Sequence, residues 1–93
     1  MALIHIKRNH GLSREEARGK IDEIATRLAD EFKVKHAWDG DVLRFKRTGA
    51  TGAIVLGDKV VDVKVKLGMV LVPMKGKIEK AIIQGLEKVG ADG

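Results

Sequence analysis

The chain has no cysteine and no tyrosine, one serine, one proline and only three aromatic side chains among 93 residues. Without cysteine there is no disulfide, no thiolate nucleophile and no thiolate metal ligand, a usage that suits a reducing cytoplasm. The only serine, Ser13, stands where a helix begins, so a Ser-His-Asp site would have to use the helix cap as its nucleophile. Long apolar runs are missing too, and none approaches the roughly 20 residues of a membrane span. Residues 1–7 lack the basic start, long apolar middle and cleavage site of a secretory leader. A cytoplasmic chain is expected. Negative charge is the scarcer sign, 13 acidic against 18 basic residues, and the resulting +5 with a pI near 9.7 permits an anionic partner without requiring one.

Catalytic groups are sparse. His5, His10 and His36 have no His, Cys or carboxylate at metal-ligand spacing, so no metal and no cofactor is expected. His10, in a loop beside a helix start, reads as a local backbone contact. Asp39 and Asp41 flank Gly40, but Asp-Gly is also what a tight turn favours, and further acidic ligands of a calcium loop are absent. Gly49 and Gly52 lie between strands rather than between a strand and a helix, which argues against a phosphate loop. The chain is expected not to be an enzyme.

What is present is clear hydrophobic patterning in a length that fits a single domain, 1–93, with one modest core. The segment Val60-Val61-Asp62-Val63-Lys64-Val65-Lys66-Leu67 alternates apolar and polar, the period of a strand with one buried and one wet face. Residues 3–8 alternate likewise, with Ile4 and Ile6 on one side. Ser13 followed by Glu16 predicts a capping box, and Ala17, Ile21, Ile24, Leu28 and Phe32 recur at steps of three or four along the helix behind it. Gly19 weakens that helix and suggests close packing. Residues 33–67 predict four strands joined by turns at Asp39-Gly40, Thr48-Gly49 and Gly57-Asp58. These turns pair His36 with Leu43, Phe45 with Gly52 and Ile54 with Val61. All three registers send Val34, His36, Trp38, Leu43, Phe45, Gly52, Ile54, Val61, Val63 and Val65 to one face. His36 then reads as a partly buried core histidine. A second helix over about 70–89 carries Leu71, Met74, Ile78, Ile82, Leu86 and Val89 on its apolar stripe, with Pro73 in its first turn and Gly90 ending it.

The expected fold is therefore α+β and two-layered, β-α-β-β-β-β-α. An antiparallel five-stranded sheet in the order 1-5-4-3-2 carries both helices on one face, in a helix-grip-like arrangement. Its outer face is expected to be basic: His5, Lys7, Lys33, Lys35, Arg44, Lys46, Lys64 and Lys66 point away from the helices, with Asp62 the only acid among the outward strand positions. Such a face either binds an anion or simply stays solvated and guards the sheet edges. Phe32, Trp38 and Phe45 all point inward, so the aromatic platform that stacks RNA bases is missing and nucleic acid is not expected. The run Met69–Met74 holds more apolar residues than one helical stripe buries. Met69, Val70, Val72 and Met74 are candidate contacts for a partner surface or a second copy of the chain, and packing under the bend of the sheet is the alternative.

The residues Ile4, Ile6, Arg8, His10 and Leu12, then Ala17-Arg18, Trp38-Asp39-Gly40-Asp41 with Leu43 and Phe45, Leu67-Gly68, and Lys75-Gly76-Lys77-Ile78-Glu79 follow a pattern that spans essentially the whole chain. In this the chain resembles the small polyhydroxyalkanoic acid system proteins of bacteria. The resemblance implies an association with polyhydroxyalkanoate storage, a granule-associated or regulatory role, and the granule surface or its coat proteins as partners. It brings no catalytic residues. On that footing Met69, Val70, Val72 and Met74 with Arg44, Lys46, Lys64 and Lys66 are the candidate binding residues. A second reading is a module that holds an acyl or hydroxyacyl ligand between sheet and second helix, in a cavity near Trp38, Phe45 and Ile78.

Overall fold

The computed structural model describes residues 2–89, and the side chains of residues 2–87. Strand β1, Ala2–Asn9, sets Ile4 and Ile6 into the core by simple alternation. Helix α1, Arg14–Phe32, opens on the expected capping box: the Glu16 N–H donates to Ser13 Oγ at 3.2 Å, and the Ser13 N–H donates to Glu16 Oε1 at 3.4 Å. Its predicted stripe is buried, joined by Ala25. Strands β2, Lys35–Asp39, β3, Val42–Arg47, β4, Ala50–Leu56, and β5, Val60–Leu67, complete one antiparallel sheet in the order β1-β5-β4-β3-β2. Helix α2, Lys75–Val89, packs beside α1 on the same face, and the buried side chains of sheet and helices form one hydrophobic cluster. The stop expected at Gly90 and the Val89 side chain lie outside the described residues.

Two hairpins differ from expectation by a shift of their turns. The first loop is Gly40-Asp41, not Asp39-Gly40, so His36 faces Phe45, Trp38 faces Leu43 and Lys35 faces Lys46. Putting glycine first needs a positive φ only at Gly40, which has φ +61°, and leaves Asp41 in ordinary backbone. The third loop is Asp58-Lys59, with the Gly57 N–H donating to Val60 O at 2.8 Å, so Ile54 faces Val63 and Gly52 faces Val65. This register extends β5 back to Val60, where it pairs with Asn9 of β1. Each turn moves by one residue, so each register moves by two. Side chains alternate with period 2, and every inward residue keeps its face. The middle hairpin, with Phe45 opposite Gly52 and Gly49 at φ +85°, is as expected.

Other differences have local causes. Lys33 is not a strand residue: it caps α1 in the left-handed region at φ 58°, donating its N–H to Ala29 O at 3.0 Å. His36 is on the inner side but exposed, because β2 is the edge strand beyond the helices' cover; its ring tilts against Phe45 at 6.5 Å. The second helix is two pieces. Met69–Met74 is a 3₁₀ turn and α2 begins only at Lys75, because Pro73 lacks an N–H and its ring opposes the carbonyl four residues back.

Gly19 does not serve close packing: a Cβ there meets nothing within 4 Å. The close glycine is Gly85, against Ile24. Gly19→Ala is therefore expected to stabilise the protein by about 0.5–1 kcal/mol through helix propensity alone. Urea unfolding checks this, and a loss of stability would contradict the open surroundings of Gly19.

Candidate functional site

The registers arrange the outer face of the sheet in rows that cross all five strands. One end row reads Leu3, Lys66, Thr51, Lys46, Lys35; the next reads His5, Lys64, Ala53, Arg44, Ala37; the third reads Lys7, Asp62, Val55, Val42, Asp39. Arg44, Lys46, Lys64 and Lys66 are exposed, as the candidate site requires. The face is graded, however, rather than evenly basic. Asp39 joins Asp62 in the third row, so Asp62 is not the only acid on this face. His5 Nε2 lies 2.8 Å from Asp62 and Arg44 Nε 3.5 Å from Asp39. The first row holds no acid, and Lys33 lies beside it with Lys35, Lys46 and Arg47 around a shallow depression. Arg47 is engaged: its Nη1 donates to Phe32 O at 2.6 Å, satisfying a carbonyl at the end of α1.

The apolar run divides by geometry. In a 3₁₀ turn residues three apart eclipse, so Leu71 and Met74 both turn toward the core, Leu71 fully and Met74 partly buried. Met69, Val70 and Val72 are left outside, with 81%, 79% and 38% of their surface exposed. The Gly68 N–H donates to Gly49 O at 2.7 Å, which ties this turn to the β3–β4 loop at the basic end of the sheet.

The expected ligand cavity is small. Phe45 and Ile78 line an apolar space with Leu28, Phe32 and Leu71, of about 30 Å³, room for one water rather than an acyl chain. Trp38 does not line it. Its half-buried ring lies under the Arg18 guanidinium at 4.1 Å, and its Nε1 donates to Asp22 Oδ1 at 3.1 Å. Trp38 belongs to the seam between β2 and α1, because the edge strand carries it past the interior.

That seam accounts for much of the Trp38-Asp39-Gly40-Asp41 segment. Arg18 also donates to Gly40 O at 3.2 Å, and Arg14 bridges Asp41 and Asp58, holding the tips of two hairpins to the start of α1. Donating hydrogen bonds to the Asp41 carboxylate, and then to that of Asp58, raises the pKa of the Arg14 guanidinium above its ordinary value. His10 is buried, 4% exposed, and held wholly by backbone: Nε2 bonds Gly57 O at 3.0 Å, Nδ1 accepts from the Leu12 N–H at 3.3 Å, and its own N–H donates to Lys59 O at 2.8 Å. Among the described residues no three His, Asp or Glu side chains gather as metal ligands, and no helix is long and apolar enough to cross a membrane.

Sequence reasoning passed over Leu3, which is 63% exposed. Its signal was present, since it shares parity with His5 and Lys7 on the outer face.

A family model described as "putative polyhydroxyalkanoic acid system protein" matches residues 4–89. No curated protein and no solved structure is significantly similar to the chain. The matched span takes in both helices, all five strands but the first two residues of β1, and the whole Met69–Met74 turn, and it is associated with polyhydroxyalkanoate storage. The chain belongs to this polyhydroxyalkanoic acid system family.

Proposed function

We propose that the chain is a non-enzymatic cytoplasmic protein of polyhydroxyalkanoate storage that works by binding at the granule surface, through Met69, Val70 and Val72 and the basic outer face of the sheet. The observation that carries this reading is the adjacent pair Met69 and Val70, left about four-fifths exposed by a turn from which Leu71 and Met74 reach the core. Covering such side chains against an apolar surface is worth about 1.5–3 kcal/mol each before the costs of association. The alternative of an enclosed acyl ligand draws little support from an interior space the size of one water.

Recovery on purified granules tests the reading. Wild-type protein is expected to sediment with granules, and Met69→Asp/Val70→Asp to remain in the supernatant with an unchanged circular dichroism spectrum. Equal recovery of both would remove the turn from the mechanism. A concentration-dependent dimer that loses its association with the same substitutions would make a second copy of the chain the occupant instead.

A further inference from the structure

The three most exposed large apolar side chains lie at the end of the molecule whose row of strand residues holds lysines and no acid. Leu3 pairs with Lys66 at the start of β1, and Met69 and Val70 follow β5 by two residues, so the three most exposed large apolar side chains share that end. Lys46 and Lys35 continue the row of Lys66, with Lys33 alongside. Among the described residues, none of these four lysines has a carboxylate within 4.0 Å. The opposite end is mixed: Arg14 holds Asp41 and Asp58, and Arg44 meets Asp39, beside Lys7 and Lys59, which have no carboxylate within 4.0 Å among the described residues.

Helix α2 adds an independent sign. Its first turn faces the end of α1, carries no acid, and begins Lys75-Gly76-Lys77. Cations at a helix N-terminus oppose the helix dipole, so the sequence concentrates positive potential here against local preference.

Apolar side chains that project between lysines with long apolar stems match a surface whose interior is hydrocarbon and whose outer layer is anionic. We propose that this end of the protein seats on an anionic phospholipid layer, Leu3, Met69 and Val70 entering the acyl boundary and the lysines meeting the phosphates. A bare polyester offers the apolar contact but no negative charge for the lysines, and an acidic protein surface has no hydrocarbon interior for the apolar side chains to enter. The inference rests on the preceding reading for its setting and adds the chemistry of the surface.

Flotation with vesicles tests it, using phosphatidylcholine alone and phosphatidylcholine mixed with phosphatidylglycerol, and particles of bare polyester as a third arm. Binding is expected only to the vesicles with phosphatidylglycerol, weakening as salt rises. Lys46→Glu/Lys66→Glu and Met69→Asp/Val70→Asp are each expected to lower it by at least about tenfold, whereas Lys59→Glu, at the far end, leaves it unchanged. Equal binding to both vesicle types, or indifference to the substitutions at this end, overturns the proposal. Absence of vesicle binding overturns it, with or without retention on polyester, while granule attachment stands or falls by recovery on purified granules.

Discussion

His10→Ala is expected to destabilise the protein by about 2–4 kcal/mol, because it strands two partly buried backbone groups and leaves a cavity where a buried ring was. The imidazole accepts from the Leu12 N–H on one side and donates to Gly57 O on the other, which requires the neutral Nε2–H tautomer. Through these bonds it joins the β1–α1 connection to the β4–β5 loop, two segments far apart in sequence. The melting temperature is expected to fall by roughly 10–25 °C, measured by calorimetry. His10→Asn keeps an acceptor near Nδ1 and should retain the Leu12 bond, so its loss is expected to be about half as large. A loss below about 1 kcal/mol for His10→Ala would mean that the loops relax and satisfy these groups otherwise.

The inward and outward faces were legible in the sequence because side-chain parity is insensitive to the error that turn chemistry invites. Asp39-Gly40 and Gly57-Asp58 were each displaced by one residue, and the displacement moved pairings without moving faces. Pairwise facts were not protected in this way: His36 meets Phe45 rather than Leu43, and Ile54 meets Val63 rather than Val61. The surplus of the Met69–Met74 run was legible because an apolar stripe has limited width. That Met74 turns inward while Met69 projects furthest was not, since that depends on Pro73 converting the segment to a 3₁₀ turn. Two features had no local signal at all. The Arg14 bridge to Asp41 and Asp58 requires knowing that both hairpin tips reach the same helix end. The grading of charge along the sheet requires the registers of all five strands at once.

The contact between α1 and α2 yields the other large expected effect, and it involves a reversal of sign. A Cβ on Gly85 would lie 2.4 Å from Ile24 Cγ1 and 2.9 Å from Cδ1, well inside contact distance. Ile24 is buried, and its branched Cβ restricts χ1, so Cγ1 has little freedom to withdraw. The helices must separate or Ile24 must leave its rotamer. Gly85→Val is expected to cost about 3 kcal/mol, since the overpacking exceeds the few tenths gained in helix propensity. Gly85→Ala sets a smaller clash, about 1–3 kcal/mol, against a propensity gain of about 1 kcal/mol, and is expected to be a net loss. In an Ile24→Ala background the obstructing atoms are gone. That substitution alone costs about 2–5 kcal/mol, and Gly85→Ala then fills part of the space and gains helix propensity. It is expected to stabilise that background by about 1 kcal/mol, a coupling of about 2 kcal/mol in a double-mutant cycle read by urea unfolding. If Gly85→Ala has the same effect in both backgrounds to within about 0.5 kcal/mol, Ile24 is not what excludes a side chain at this position.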